Sequence, residues 1–336
     1  MALVIPQGYK SLLDRNQTEK AIKTIKDSFQ KTLSKALNLD RITAPLFVTK
    51  KSGINDDLNG VERKVSFTIK NVGNEECQVV QSLAKWKRDA LYRYEYEVGK
   101  GIYTDMNAIR CDDDVDNLHS IFVDQWDWEK VISRDQRNFD FLKDTVQKIV
   151  NAIADTQQEL ISLYPQLNTP IKREVSFITT QELEDMYPNL TEPKDRENAF
   201  VKEHKTAFIM QIGDILKSGK KHDGRAPDYD DWALNGDIMF WNDVLGCAFE
   251  ISSMGIRVDE TSLVEQLKKS DALDRLNFNF HQNIINKVYP LSIGGGIGQS
   301  RLCMLLLKKA HIGEVHVSVW PDDMVEACGK NNIHLL

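Results

Sequence analysis

The sequence predicts an α+β fold, a mainly antiparallel β-sheet flanked by helices. Three observations carry this. Short alternating or apolar runs outnumber helical segments. Few of those runs alternate with helices in the βαβ rhythm that a doubly wound parallel sheet requires. Two long segments repeat apolar residues at helical spacing instead. At 336 residues, with 41% hydrophobic and 28% charged residues, the composition is that of an ordinary globular domain. A chain of this size buries roughly three quarters of its unfolded surface and needs no disulfide or metal to hold it. A single domain spanning 1–336 is therefore expected, since large catalytic domains reach this length as one unit.

Taken in order, Asn16 and Glu19 read as a capping box that opens the first helix. Ile22, Ile25, Phe29, Leu33, Ala36 and Leu37 then recur at helical spacing, so one face packs on something. Residues 41–48 are strand-like but contain Pro45, which cannot donate to a central ladder, so this strand lies at an edge or an interface. A polar loop over 53–60 precedes strands at 64–70, 77–81, 102–109 and 121–128. A second long helix runs from about 135 to 164 on Phe139, Leu142, Val146, Ile149, Val150 and Ile153, and Pro165 ends it. Residues 217–232, rich in Gly, Lys, Asp and Pro, look like a mobile loop. Strands return at 237–241, 247–251 and 290–293. A glycine cluster and a helix over 301–309 follow.

Several function classes are excluded. The longest apolar run, 302–307, is far short of the ~20 residues of a membrane span. The first residues lack the basic flank and long apolar stretch of a signal peptide. Five cysteines without a CxxC suit a reduced, cytoplasmic protein. A net charge of −7 argues against a nucleic-acid surface. None of the seven histidines has the companion spacing of a zinc site.

Residues 294–301, Gly-Gly-Gly-Ile-Gly-Gln-Ser-Arg, read as a junction between strand and helix. Such a junction offers helix N-terminal amides, and its glycines let a nucleotide approach the backbone. A dinucleotide fingerprint would need an early βαβ unit, and no P-loop is present. Arg301 tilts the reading from a structural turn towards a phosphate or adenine contact. Asp237 and Glu250 fall on neighbouring strands. Alone they are solvated acids, but beside a phosphate they suit Mg²⁺. Ser82-Leu83-Ala84-Lys85 is a nominal SxxK without its partner motifs, so residues 81–88 read as a helix start with exposed lysines. Residues 109–127 read as strand, acidic loop, strand.

Three of these segments, in this order, resemble the signature of the class II aminoacyl-tRNA synthetases. The first helix with 42–48 and Pro45 looks like the dimer-interface motif. Arg110, the acidic loop and Phe122 look like the second motif, and 294–301 like the third. This resemblance implies that Arg110 grips the α-phosphate of ATP, with adenine between Phe122 and Arg301. Gln81-Ser82 with Lys87, and Glu250 with Arg257, match the aspartate pocket of the aspartyl enzymes. The likeness is closer still to the ammonia-dependent asparagine synthetases, the aspartate–ammonia ligases. Their strings appear at 82–88 (Ser-Leu-Ala-Lys-Trp-Lys-Arg), 123–129 (Val-Asp-Gln-Trp-Asp-Trp-Glu), 225–232 (Arg-Ala-Pro-Asp-Tyr-Asp-Asp-Trp), 252–258 (Ser-Ser-Met-Gly-Ile-Arg-Val) and 294–301. The resemblance runs from about 17 to 320. Gln81 departs from the His of many members and is similar to the synthetase cousins.

That family implies a homodimer built through about 17–48, Mg²⁺ with ATP, and L-aspartate plus ammonia going to asparagine, AMP and pyrophosphate through a β-aspartyl-adenylate. Arg110, Asp56, Gln125 and Arg301 are then expected to be catalytic, with Asp56 and Gln125 the candidates for holding the nitrogen. Asp56, Ser82, Lys87, Gln125, Ser253 and Arg257 are expected around the amino acid. Arg110, His119, Phe122, Asp237, Glu250, Gly296, Gly298 and Arg301 are expected around ATP, with Asp237 and Glu250 on the metal. No nucleic-acid partner is implied. The alternatives are a truncated aspartyl-tRNA synthetase-like paralogue and a glutamine-dependent enzyme, which would need an N-terminal cysteine where Ala2 stands. If the aspartyl-type pocket is retained, the substrate binds reversed. Lys87 and Arg257 would then clamp the α-carboxylate, and the β-carboxylate would face Arg110.

Overall fold

The computed structural model describes residues 3–56 and 62–336. In chain order, α1 (Arg15–Leu37) leads into β1 (Leu39–Arg41), β2 (Phe47–Thr49), β3 (Ser66–Ile69) and β4 (Glu75–Val79). Next come α2 (Ala84–Arg93), β5 (Gly101–Ile109), β6 (Phe122–Val131) and α3 (Phe139–Leu163). After β7 (Ser176–Thr179), α4 (Thr180–Met186), α5 (Pro193–His204) and β8 (Thr206–Met210), the hairpin β9 (Asp230–Asn242) and β10 (Cys247–Arg257) forms the longest strand pair. The chain closes with α6 (Ser262–Lys269), α7 (Asn279–Ile285), β11 (Ser292–Gly298), α8 (Gln299–Leu306) and α9 (Asp322–Lys330).

Eight strands form one sheet in the order β1-β5-β6-β11-β10-β9-β8-β7. Its six inner strands pair antiparallel, but β1 with β5 and β7 with β8 are parallel, so the sheet is mixed at both ends. A second sheet, β2-β4-β3, stands apart. On one face of the large sheet, Ile25, Phe29 and Leu33 of α1 and Val146, Ile149 and Ile153 of α3 share a core with Trp126, Trp128, Phe249, Ile293 and Ile297. Phe29 and Trp126 pack with tilted rings, centroids 4.8 Å apart. Near β5, α2 buries Trp86, Ala90 and Leu91 against Ile102, Met106 and Val131.

Several expectations need correcting. The cap of α1 is Asp14, not Asn16. The Gln17 N–H donates to Asp14 Oδ1 at 2.8 Å and its side chain receives the Asp14 N–H, because the first turn starts two residues early. Residues 41–48 are not one strand: Pro45 lies between β1 and β2, where its missing N–H costs no ladder bond. Its edge character holds, since β1 ends the large sheet and β2 the small one. Asn138 caps α3, receiving the Phe141 N–H at 2.9 Å, so that helix starts later than 135. The 53–60 loop is described only to Asp56, and 57–61 lie outside the described residues.

The glycine cluster does lie where a strand passes into a helix, but the strand takes in the glycines themselves. Gly294, Gly295 and Gly296 lie inside β11, at the centre of the sheet, and α8 begins only at Gln299. A Cβ at Gly294 would sit 1.9 Å from Glu129 Oε2, and one at Gly296 would sit 2.2 Å from Gln125 Oε1. The neighbouring strand's polar side chains cross over β11 there, and only glycine leaves them room. Residues 217–232 are not loop throughout, since β9 begins at Asp230, and the segment before it is tied down at two points. His222 Nε2 lies 2.9 Å from Glu197 Oε1, and buried Asp228 meets Lys85 at 2.8 Å and Arg275 and His281 at 3.0 Å each.

Candidate active site

Strand alternation builds the site. Along β6, Trp126 and Trp128 point into the core, so Gln125, Asp127 and Glu129 point the other way, over Gly294 and Gly296. Along β10, Met254 and Ile256 are core, which turns Ser253 and Arg257 to the same open face. The resulting cleft, of about 440 Å³, lies within the usual range for small-molecule sites.

Its floor is a charged lattice. Lys87, on α2, is buried, with Nζ donating to Gly295 O at 2.9 Å and standing 3.2 Å from Asp127 Oδ1. Burial pushes its pKa down, although Asp127 and Glu129 oppose the shift. Arg257 forks onto Glu129, with Nε to Oε1 at 2.9 Å and Nη2 to Oε2 at 2.7 Å, while Nη1 donates to Asp230 Oδ1. Ser292 Oγ completes Glu129 at 2.7 Å. Burial works to raise the Glu129 pKa, but Arg257 and Lys87 hold it below the usual carboxylate range. The expected lysine and arginine pair is thus present but already engaged, and two of the five guanidinium N–H donors of Arg257 remain for a ligand. Cations interleaved with carboxylates suit a molecule carrying both charges, such as an amino acid.

The opposite end is sparser. Arg110, just past β5, makes a single long bond, Nη2 to Gln81 O at 3.4 Å, and its buried Nε has no partner among the described residues. Arg301, on α8, donates to Glu250 O at 3.1 Å. The Phe122 ring stands half-exposed against His316, with centroids 4.6 Å apart. His119, on the same side, bonds Asp116 through Nδ1 at 2.9 Å. Two arginines and an aromatic shelf fit a phosphate ester with a flat base.

Between the two ends, Asp237 on β9 pairs with Arg225 at 2.6 Å. Burial, reinforced by nearby Glu250 and opposed by Arg225, pushes its pKa up to about 6. Glu250 is held below its ordinary value by Arg301, Lys194 and Arg225 against the pull of burial. Among the described residues no group of three or more His, Cys, Asp or Glu could hold a metal ion. A cation here would therefore share its oxygen ligands with a bound phosphate.

Of the expected site residues, Asp56, Ser82, Lys87, Arg110, His119, Phe122, Gln125, Glu250, Ser253, Arg257, Gly296, Gly298 and Arg301 all line this one cleft. Asp237 is set back, paired to Arg225. Lys85 and Lys87 are not exposed: their side chains are 2% and 1% accessible, because buried Asp228 and Asp127 meet them. Sequence reading missed Asp127, Glu129, Arg225, Tyr229 and Asp230. The first two were legible, since the alternation of Gln125, Asp127 and Glu129 with two tryptophans puts the three polar side chains on one face.

A family model described as aspartate-ammonia ligase matches residues 16–332. A relative from Ruminiclostridium cellulolyticum, named aspartate–ammonia ligase, is 59% identical over all of this chain and 99% of its own. One of the same name from Clostridium tetani is 56% identical over 99% of this chain and 98% of its own. Among solved structures, the Entamoeba histolytica asparaginyl-tRNA synthetase with asparaginyl-adenylate superposes with a TM-score of 0.66. It is 13% identical, over 90% of this chain and 66% of that one. The Pyrococcus horikoshii asparaginyl-tRNA synthetase complexed with asparaginyl-adenylate gives 0.63 at 14% identity, over 90% and 70%. These two likenesses establish the fold, which is that of the asparaginyl-tRNA synthetases it superposes on. With the family model and the relatives matching along nearly the whole chain, the protein belongs to the aspartate–ammonia ligase family.

Proposed function

We propose that the protein makes L-asparagine from L-aspartate and ammonia, spending ATP to activate the β-carboxylate as its adenylate and releasing AMP and pyrophosphate. The observation that carries this reading is one cleft that joins a floor of interleaved cations and carboxylates to a pair of underused arginines. The identity of the relatives favours the ligase over a synthetase-like paralogue.

A carboxylate is a poor electrophile, and two anions must meet before the β-carboxylate oxygen can attack the α-phosphorus and expel pyrophosphate. Lys87 and the spare donors of Arg257 hold the α-carboxylate, and Asp127 and Asp230 receive the α-ammonium. This orientation leaves the β-carboxylate facing Arg110. Arg110 and Arg301 neutralise the charge that develops on the phosphate, which is electrostatic catalysis by preorganised donors. Asp237 and Glu250 supply the hard oxygen ligands that Mg²⁺ prefers beside phosphate oxygens, and Mg²⁺ when bound adds to the neutralisation of the triphosphate. Ammonia then attacks the acyl carbon, loses a proton and displaces AMP. Gln125 and Asp56 border the place where that nitrogen must stand, and Asp56 is held there by its backbone N–H, which donates to Asn55 Oδ1 at 3.0 Å.

The protein works as a homodimer in this reading. The apolar face of α1 is taken by α3, so the contact falls to the small sheet and the residue before it, where Leu46, Phe47 and Phe67 are 55%, 41% and 38% exposed. A cytoplasmic setting with free ammonium suits the five unpaired cysteines. Among the described residues no helix is long and apolar enough to cross a membrane. The direct test is to incubate the protein with aspartate, ATP, Mg²⁺ and ammonium chloride, and to assay asparagine and AMP. Formation of both, with no turnover when purified glutamine replaces ammonium, is expected. ADP as product would overturn the assignment.

A further inference from the structure

Arg225 is a buried charge that this chemistry leaves unassigned. It stands outside regular structure, in the segment that leads into β9. That segment is held from beneath, because the Trp232 indole N–H donates to Ala226 O at 3.3 Å and Asp228 is locked into its own cluster of cations. From this fixed base the guanidinium reaches two strands. Nη2 donates to Asp237 Oδ1 on β9 at 2.6 Å, and Nη1 donates to Ser253 Oγ on β10. Ser253 and Asp237 are directly opposed in the β9–β10 register. The buried Nε has no partner among the described residues. Ser253 borders the amino-acid floor beside Arg257, whereas Asp237 belongs with Glu250 to the nucleotide side. One planar fork therefore touches both subsites.

We propose that Arg225 is a positioning residue that couples the two subsites, so that occupancy of the nucleotide side raises affinity for aspartate and the reverse. The proposal rests on the ligase reading above. A guanidinium cannot shed its proton in a protein, so its charge must always be answered. In the empty site Asp237 answers it. A cation arriving with ATP would draw on the negative charge of the Asp237 carboxylate, whichever oxygen it met, and Arg225 would be left with less answering charge than its burial demands, with Asp230 as its other nearby carboxylate. That arrangement is unfavourable until another anion comes. The α-carboxylate of aspartate, held at Arg257 beside Ser253, is that anion, and the Nε–H of Arg225, which has no partner among the described residues, is a donor left for it. The gain is a coupling free energy, and it must be the same whichever ligand binds first. A lysine would keep the charge but could not hold two strands with one fork.

Calorimetric titration tests this. Aspartate is titrated into the wild-type protein with and without saturating Mg²⁺ and α,β-methylene-ATP, a non-reacting analogue, and the order is then reversed. Affinity for aspartate should rise about tenfold when the analogue is present, within the usual span for coupled sites, and the reverse titration should return the same factor. Arg225→Met should still bind each ligand singly and its coupling factor should fall close to one, while it unfolds at a lower temperature than the wild type because Asp237 loses its buried partner. Arg225→Lys should fall between, and carries the test if the methionine variant does not fold. Wild-type coupling near one, or coupling undiminished in the variants, would overturn the proposal. A wild type that binds neither aspartate nor the analogue would overturn the ligase reading, and this proposal with it.

Discussion

The two ends of the cleft are built on opposite principles. At the floor every charge is answered inside the protein: Arg257 by Glu129 and Asp230, Lys87 by Asp127 and Gly295 O. At the opposite end, among the described residues, the Arg110 side chain makes one 3.4 Å bond, and Arg301 donates to the Glu250 carbonyl and stands 3.7 Å from that residue's carboxylate, a looser pairing than any at the floor. The floor is buried, where an unpaired charge costs several kcal/mol, so its geometry is complete before substrate arrives. The phosphate end is partly open, and its cations keep their strength for an anion that comes from outside. In the proposed reaction, the first region would set selectivity and the second would supply electrostatic rate enhancement.

The comparison breaks most readily at the floor. Glu129→Gln keeps the shape but removes the carboxylate that Arg257 and Lys87 both face. Removing one partner of a buried pair costs about 3–5 kcal/mol, so this variant should unfold in urea at a much lower midpoint than the wild type. Unchanged stability would mean that the floor is not the ionic lattice described. Arg110→Ala should behave in the opposite way. Its stability should stay near wild type, because the side chain holds little, while kcat falls about 10²–10³-fold, the usual loss for a charge-stabilising donor. A variant that lost stability and kept its rate would reverse the roles of the two ends.

A third substitution asks whether the floor's paired cations still reach substrate. Arg257→Lys loses the fork, so the KM for aspartate should rise about ten- to hundredfold, the worth of a charge-assisted hydrogen bond, with the KM for ATP nearly unchanged. A rise in the KM for ATP alone would place Arg257 outside the amino-acid pocket and end the reversed-substrate reading.

How much of this was legible follows the same division. The phosphate end is sequence-local: Arg110, Phe122 and Arg301 sit in recognisable segments, and the cleft brings them together. The two long helices were legible too, because their apolar faces repeat within one element. The floor was only half visible. Lys85 and Lys87 read as exposed because their buried partners, Asp228 and Asp127, lie far along the chain. The glycines of β11 read as a junction between strand and helix, and nothing near them in the sequence reveals Gln125 and Glu129 crossing above. The parallel pairs at the sheet's edges depend on crossovers that local patterning does not encode.

Acid should separate the two ends by a smaller but measurable effect. The hairpin behind the phosphate end is braced by the segment around His311. The Ile312 N–H donates to Asn117 O at 2.8 Å, and His311 Nδ1 receives the Gly313 N–H at 3.0 Å with its ring edge-on to Trp320. Burial, only partly offset by Asp116, lowers the His311 pKa to about 4. The folded protein therefore keeps this ring neutral, whereas the unfolded chain takes up a proton near pH 6.5. Between these values the unfolded state binds more protons, so stability is complete above about pH 6.5 and declines as pH falls towards 4. The loss should reach about 1.4 kcal/mol one unit below the unfolded value, near pH 5.5. Glu129 at the floor stays ionised there, since Arg257 and Lys87 hold its pKa below the ordinary range against burial. Hydrogen exchange at pH 5.5 against pH 7.5 should then show residues 117–120 loosening while β6 and β11 stay protected. His311→Asn offers Oδ1 to the Gly313 N–H in place of Nδ1 but does not titrate, and should remove the difference between the two pH values. Equal loosening in this variant, or loosening that begins in β11, would mean that the floor and not the brace is the acid-labile part.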